Sequence, residues 1–167
     1  KVEAPNGDDT RGWGPPFVDI DGESSAAYFH SCNRGKASIT IDLSKTSDQL
    51  RLKELIQSCD ILIENFKVGG LKKYGFDYES VKSINPALIY CSITGFGQTG
   101  PYSHRAGYDY IIQGMSGFMS ITGESGEMPQ RAGVAVTDLF TGLYATTAIL
   151  SAIHMRNDTG QGQHIDM

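Results

Sequence analysis

The sequence of 167 residues predicts an α/β fold, a Rossmann-like, mainly parallel sheet with flanking helices. Strand and helix patterns alternate along residues 37–93, and this order places helices on the faces of a parallel sheet. The run at residues 60–64 is short, apolar and rich in branched side chains, as a buried parallel strand is. Hydrophobic residues make up 40% of the chain, which is enough for a core.

The individual elements are predicted from periodicity and from turn residues. Residues 5–34 are rich in Gly, Pro, Asp, Ser and Asn and predict a long loop. Further along, the patterns predict strands at 37–43, 60–64 and 87–93, helices at 46–56, 78–84, 107–120 and 137–155, a helical turn at 71–75 and a loop at 121–132. Ligands bind beyond the carboxyl ends of parallel strands, so we expect a site near residues 64–66 and 93–95.

Composition excludes several classes of function. The net charge of −5 is spread without a basic block, which argues against a nucleic-acid partner. No apolar run approaches the length of a membrane span, so no membrane partner is expected. Cys32, Cys59 and Cys91 are far apart and form no metal-ligand spacing, which predicts reduced, mostly structural thiols in an intracellular protein and no metal site.

Asp138 is the candidate catalytic residue. It lies at the start of the long apolar helix, after a Gly-containing loop and among small residues such as Ala135 and Gly142. Backbone amides at a helix start stabilise negative charge, so a carboxylate held there can stay ionised and act as a nucleophile. A simpler interpretation is that Asp138 caps or supports the helix N-terminus.

A glycine-rich segment matches a dinucleotide-binding pattern in part. Residues 95–100 read G-x-G-x-x-G and follow a predicted strand, but Pro101 follows where the fingerprint requires a helix to open. A loop that borders a site is therefore the better interpretation, and a nicotinamide-binding oxidoreductase is retained as an alternative.

An ordered set of motifs extends over nearly the whole chain. It includes Asn33-Arg-Gly-Lys-Ala-Ser-Ile39, Glu64-Asn-Phe66, residues 92–101, Arg105-Ala-Gly-Tyr-Asp109, Val136-Thr-Asp-Leu139 and Thr159-Gly-Gln-Gly162. This set resembles the family III CoA-transferases, also called the carnitine dehydratase and bile-acid-inducible family, with formyl-CoA transferase-like members. The strongest likeness is to members that move CoA between dicarboxylic or short acyl acids.

The resemblance implies that Asp138 is the nucleophile of a CoA-transferase. Its carboxylate would attack an acyl-CoA thioester to give an aspartyl anhydride, and CoA would return to give an aspartyl-CoA thioester. The substrates implied are an acyl-CoA and a carboxylic acid, with no tightly bound cofactor.

The resemblance also implies CoA contacts. Asn65 and Phe66 match the family well at a strand end. Lys73 falls where an arginine commonly binds phosphate, and it keeps the charge without the bidentate fork. Ile41 and Tyr74 fall at adjoining contact positions, although core packing is an equally good interpretation of Ile41. Arg34 lies in a basic segment that could contact phosphates or be a solvated loop.

Tyr108 distinguishes two reactions of the family. Racemase members place a histidine there, paired with the aspartate to move an α-proton. The tyrosine favours transferase over racemase, and Tyr108 is also expected to contact CoA. A 2-methylacyl-CoA racemase is the alternative.

Several expectations concern the whole protein. The chain begins without Met, and the resemblance predicts that residues 1–167 are part of a large CoA-binding domain, without its first strand and helix and without a smaller C-terminal domain. Family members form interlocked dimers, so a homodimer is expected. A cytoplasmic location is expected, or a mitochondrial one in a eukaryote. An inactive CoA-binding remnant is the non-enzymatic alternative.

Overall fold

The computed structural model describes residues 1–167, which form two compact units, Lys1–Glu54 and Leu55–Met167. In the first unit, β1 (Val2–Glu3) pairs in parallel with β4 (Ile39–Thr40). Strands β2 (Phe17–Ile20) and β3 (Glu23–Ala26) form an antiparallel hairpin, which is followed by helix α1 (Ala27–Asn33). Helix α2 (Thr46–Ser58) includes the residues at which the two units meet in sequence.

The prediction of a long loop at residues 5–34 was wrong, because that segment contains the β2–β3 hairpin and α1. Asp21 and Gly22 have φ values of 52° and 84° and close a two-residue turn between the strands. The hairpin side chains are largely exposed, so the sequence shows no alternation between a buried and a solvated face.

The second unit is built on a three-stranded parallel sheet. Its strands are β5 (Ile61–Glu64), β6 (Ile89–Ser92) and β7 (His164–Asp166), in that spatial order. Glu64 pairs with Ser92, and Ser92 pairs with Asp166. The helices are α3 (Tyr78–Ile84), α4 (Asp109–Met115) and α5 (Val136–Thr159). The parallel strand pairing and the helices confirm the predicted α/β class.

Helix boundaries follow the local signals except mainly at two C-terminal ends: α4 is shorter than predicted, and α5 continues past the predicted end at residue 155 to Thr159, before Gly160 with a left-handed φ of 70°. Helix α3 begins after Asp77, whose side chain accepts a hydrogen bond from the Ser80 amide, and ends before Asn85 and Pro86. The helix predicted at 107–120 is shorter, since α4 ends at Met115. Gly117 has a left-handed φ of 82° there and starts a separate 3₁₀ turn, Phe118–Ile121.

One face of α5 packs on the sheet. Ala145, Ile149 and Ala152 form a buried cluster with Ile89 and Cys91 of β6. The small alanines let the helix approach the strand closely, and partly buried branched residues surround the cluster: Ile61, Ile93, Ile153 and Ile165. This packing fixes α5 along the sheet and determines where its first turn lies.

The C-terminal end of α5 lies at the edge of the sheet where the parallel strands begin. Arg156 donates to the carbonyl of Asp60, directly before β5, and to that of Ala87, two residues before β6, and it pairs with the Asp60 carboxylate at 3.0 Å. Asp138 is 18 residues earlier on the helix, or about 27 Å at 1.5 Å per residue. Because four-residue strands span only about 13 Å, the first turn of α5 projects beyond the carboxyl edge of the sheet.

Helix α5 is long and apolar enough to cross a membrane, judged by length and composition alone. The sequence-based statement that no apolar run reaches this length was therefore wrong. Core helices pass the same test, and one face of α5 packs on the sheet. The absence of a membrane partner stays a prediction, as does the assignment of residues 1–167 to part of a larger domain.

Candidate active site

Asp138 is the third residue of α5 and lies where the helix projects past the sheet. No group of the chain hydrogen bonds to its side-chain carboxylate, and the residue is exposed. The helix has no cap of its own, because Ala135 stands at the N-cap position without a side-chain acceptor. The amides of the first turn must therefore find partners elsewhere.

Asp109, the first residue of α4, supplies the missing cap. Its Oδ1 accepts hydrogen bonds from the Thr137 amide at 2.8 Å and from the Thr137 hydroxyl at 2.7 Å. A carboxylate from a neighbouring helix thus takes the place of the usual N-cap side chain and fixes the turn that carries Asp138.

Gln113 connects this carboxylate to the loop before α5. It is fully buried, and its Nε2 donates to Asp109 Oδ2 at 2.7 Å and to the Val134 carbonyl at 3.4 Å. Its Oε1 accepts from the Ala132 amide at 2.8 Å. The one side chain holds both the cap and the segment that leads into the helix.

The environments of the two carboxylates shift their pKa values in opposite directions. Partial burial and then the nearby charge of Asp109 raise the pKa of Asp138 above its usual value. Burial by itself would raise the pKa of Asp109, but its hydrogen bonds from Thr137 and Gln113 outweigh burial and hold that pKa below its usual range. Of the two carboxylates, Asp138 is consequently the more basic, and it is the one that accepts no hydrogen bond from the protein. A nucleophile requires both properties.

Tyr108 lies directly beside this network, at the N-cap position of α4. Its side chain is 69% exposed and makes no cap hydrogen bond. The ring is thus available to a ligand, while the next residue, Asp109, holds the turn of Asp138. The ligand contact itself stays a prediction.

Asn65 and Phe66 directly follow β5, at the same edge of the sheet beyond which α5 projects. The Phe66 ring is 47% exposed, and its amide donates to the Glu64 carboxylate at 2.8 Å. This local bond turns the chain at the strand end and leaves an apolar ring accessible, which suits a contact with a large ligand.

Lys73 and Tyr74 lie in the 3₁₀ turn Lys72–Tyr74, which ends at Gly75 with a left-handed φ of 72°. The Lys73 ammonium lies 4.7 Å from the centre of the Tyr74 ring. No acidic side chain pairs with Lys73, so its charge can bind an anion.

Arg34 and Ile41 belong to the first unit. Arg34 is exposed and follows α1. Ile41 is only 2% exposed, and its amide donates to the Glu3 carbonyl at 2.9 Å. The burial of Ile41 matches core packing, and the CoA contacts of both residues stay predictions.

A small open cleft lies in the second unit. Its lining includes the Gly69–Gly70 turn, Lys67, Tyr78, Gln98 and His164. His164 is hydrogen bonded to the Ser92 hydroxyl at 2.9 Å and stacks on Tyr78 at 4.7 Å between ring centres, which gives this histidine a structural role.

The glycine-rich segment 95–100 opens no helix, so it lacks the geometry of the dinucleotide fingerprint. A Cβ on Gly95 would lie 2.4 Å from Gly107 Cα, so the first glycine permits close contact between two backbone segments. The backbone N–H of Gln98 donates to both carboxylate oxygens of Asp166, at 3.0 and 2.9 Å. These contacts explain the motif without a nucleotide.

The three cysteines are free, and burial raises the pKa of the Cys91 thiol. No group of three or more His, Cys, Asp or Glu side chains is arranged to hold a metal ion.

Sequence reasoning missed the roles of Asp109 and Gln113. Asp109 appeared only as the end of a family motif, and Gln113 was not singled out. A signal existed, because residues i and i+4 share one helix face and a glutamine stands in an otherwise apolar stretch. The partner Thr137, 28 residues away, is visible only in the structure.

Comparison with known proteins places these features in one family. The model of CoA-transferase family III matches residues 1–167. The succinate–glutarate CoA-transferase of Agrobacterium fabrum is 61% identical over 100% of this chain and 42% of its own length. The succinyl-CoA:glutarate CoA-transferase of Mus musculus is 50% identical over 99% of this chain and 37% of its own length. The chain thus spans about two fifths of the length of these relatives.

Solved structures agree with the sequence match. A CAIB/BAIF family protein from Brucella suis superposes with a TM-score of 0.97 at 63% identity, over 99% of this chain and 44% of its own. The Rv3272 protein of M. tuberculosis gives a TM-score of 0.85 at 29% identity, over 98% of this chain and 45% of its own. The predicted resemblance is confirmed, and residues 1–167 belong to CoA-transferase family III.

Proposed function

We propose that the full-length protein is a CoA-transferase that moves CoA between carboxylic acids, with Asp138 as the nucleophile. The observation that carries the proposal is the pair of carboxylates at the start of α5. The Asp109 carboxylate is held by three side-chain and backbone hydrogen bonds from Thr137 and Gln113, whereas the side-chain carboxylate of Asp138 accepts no hydrogen bond from the chain and has a raised pKa. A carboxylate that is accessible and basic can attack a thioester carbonyl.

The proposed reaction is a series of acyl transfers through covalent intermediates on Asp138. An Asp138 oxygen attacks the acyl-CoA carbonyl, the C–S bond breaks, and an aspartyl anhydride and CoA thiolate form. The thiolate attacks the Asp138 carbonyl and releases the first acid, which leaves an aspartyl-CoA thioester. The acceptor carboxylate attacks that thioester, its C–S bond breaks, and a second aspartyl anhydride and CoA thiolate form. The thiolate then attacks the acceptor's acyl carbon, which gives the new acyl-CoA and frees the Asp138 carboxylate. The thioester energy is conserved only if water is excluded.

Dicarboxylic acids are the proposed substrate class. Relatives at 61% and 50% identity are named for succinate and glutarate, and one from Haloarcula hispanica at 44% identity is named for succinyl-CoA and mesaconate. We place CoA beyond the carboxyl edge of the sheet, with contacts to Asn65, Phe66, Tyr74 and Tyr108, and with Lys73 at a phosphate.

The proposed partner is a second copy of the full-length protein. Helix α5 exposes a series of apolar side chains: Leu139, Phe140, Leu143, Tyr144 and Leu150. Exposed apolar surface of this extent is normally covered by further protein.

Trapping the covalent intermediate tests the proposed function. The full-length protein is mixed with succinyl-CoA, glutaryl-CoA or acetyl-CoA, treated with hydroxylamine and analysed by peptide mass spectrometry. We expect a hydroxamate at Asp138, formed most readily with the two dicarboxylic thioesters. No modification at Asp138 with any thioester, although CoA binds, would overturn the proposal. Exchange of the α-proton in heavy water without transfer would indicate the racemase instead.

Lys73 provides a test of the CoA site. Replacing it with alanine should weaken CoA binding by about 1 kcal/mol, roughly fivefold in Kd, because one charge near a phosphate is lost. Lys73→Arg should bind at least as tightly as the parent. Lys82→Ala is the matched control, since Lys82 also lies over a tyrosine ring, that of Tyr78 at 5.6 Å. Calorimetric titration measures all three, and equal losses for Lys73→Ala and Lys82→Ala would contradict the placement.

A further inference from the structure

The start of α5 depends on a residue from another helix. Its N-cap position is occupied by Ala135, and the amide and hydroxyl of Thr137 both donate to Asp109. Helix N-terminal turns fray when their amides lack acceptors. The position of the adjacent Asp138 is therefore set by Asp109 rather than by the residues that precede the helix.

Asp109 is itself fixed in place. Gln113, one turn later on α4, donates to its second carboxylate oxygen and is fully buried. Since Gln113 also accepts from Ala132 and donates to Val134, the loop into α5 and the cap move together. Five hydrogen-bonded residues, Asp109, Gln113, Ala132, Val134 and Thr137, thus connect α4 to the turn that carries the nucleophile.

We propose that Asp109 is a positioning residue for Asp138, which it holds through Thr137 in the orientation needed to attack the acyl carbonyl, with Gln113 fixing the Asp109 carboxylate. The inference rests on the proposed function. Asp109 does not exchange acyl groups itself, because both of its oxygens are occupied by donors from the protein.

Substitutions of Asp109 and Gln113 in the full-length protein test this role. In the variant Asp109→Asn, the side-chain NH₂ group that replaces Oδ2 faces Nε2 of Gln113, so two hydrogen-bond donors oppose each other. The kcat should fall about 100-fold with little change in KM for the acyl-CoA, because displacing a nucleophile by about 1 Å lowers the reaction rate by about that factor. The double variant Asp109→Asn with Gln113→Glu restores an N–H donor opposite a carboxylate and should recover at least about tenfold of the lost kcat.

Two substitutions of Thr137, to valine and to serine, form a matched pair that leaves Asp109 and Gln113 unchanged. Thr137→Val removes the hydroxyl donor at constant shape and should lower kcat about tenfold, whereas Thr137→Ser keeps the donor and should stay within about twofold of the parent. Equal kcat values for the valine and serine variants would overturn the role of the hydroxyl in the positioning.

Hydrogen–deuterium exchange supplies a readout that does not depend on catalysis. The peptide that covers residues 132–140 should lose protection in Asp109→Asn and regain it in the double variant. Lost protection with kcat within about threefold of the parent would overturn the positioning role, and so would a 100-fold loss of kcat with unchanged protection. Failure of the proposed function gives a different result, since Asp138→Asn would then stay active.

Discussion

Replacing Asp138 with asparagine is expected to lower kcat/KM for CoA transfer by about 10⁴-fold or more, because an amide cannot form the anhydride or the aspartyl thioester. The affinity for CoA should stay within about threefold, since no contact to the nucleotide is removed. Steady-state transfer between succinyl-CoA and glutarate measures the first quantity, and calorimetric titration with CoA measures the second.

The control for this substitution lies on the same helix. Asp158 is an exposed residue in the last turn of α5, and Asp158→Asn makes the same chemical change 20 residues from Asp138. Its activity should equal that of the parent. If both asparagine variants kept full activity, Asp138 would be no nucleophile and the function would need another residue.

A second substitution separates charge from placement. Asp138→Glu keeps the carboxylate but moves it by one methylene, and the activity should fall about 100-fold because attack requires a defined approach to the carbonyl. A glutamate variant as inactive as the asparagine variant would show that placement matters as much as the charge. One near full activity would contradict a tightly held nucleophile.

The stability of Asp138→Asn should move in the opposite direction to its activity. Burial and the Asp109 charge raise the pKa of Asp138, so its ionised form is disfavoured in the folded state. That contribution favours the folded state at low pH and is lost as pH rises through the raised pKa. We therefore expect the neutral asparagine to melt at an equal or higher temperature than the parent at pH 7 in a thermal unfolding scan.

The sequence predicted those parts of the fold whose signals are local. Helix α3 matches its predicted range because an N-cap aspartate and an Asn-Pro pair mark its two ends. The hairpin at residues 17–26 was missed, since its exposed strands carry no alternating pattern. The predicted helix at 107–120 was too long, because the internal Gly117 adopts a left-handed conformation that ends the helical run.

The candidate site shows the same division. Asp138 was singled out from its position at a helix start, a property of adjacent residues, and the family resemblance implied its role as nucleophile, which stays a prediction. Its support was not found, because the bonds from Thr137 to Asp109 join residues 28 positions apart. Periodicity reports which face of a helix is buried, but it does not identify the partner of a polar side chain on another element.

Replacing Gly162 with alanine is expected to give the largest loss of stability among the glycines. A Cβ at this position would lie 1.9 Å from the Leu88 carbonyl oxygen, where no side-chain rotation can relieve the clash. The segment cannot move away freely, because the Gly162 amide donates to the Pro86 carbonyl at 2.8 Å and the next residue, Gln163, accepts from the Tyr90 amide at 2.9 Å. The contact lies at the junction of α5 with β7.

The loss should be about 3–5 kcal/mol, the range of changes that force backbone apart in a packed core. Alanine substitutions at two other glycines serve as references for this loss of unfolding free energy, in the same urea or thermal unfolding experiment on the full-length protein. Gly160→Ala places a side chain at a left-handed φ of 70° after α5 and should cost about 1 kcal/mol. Gly12→Ala meets no atom within 4 Å and should stay within about 0.5 kcal/mol of the parent. If Gly162→Ala unfolded at the same midpoint as Gly12→Ala, the close approach between the end of α5 and the start of β6 would be wrong.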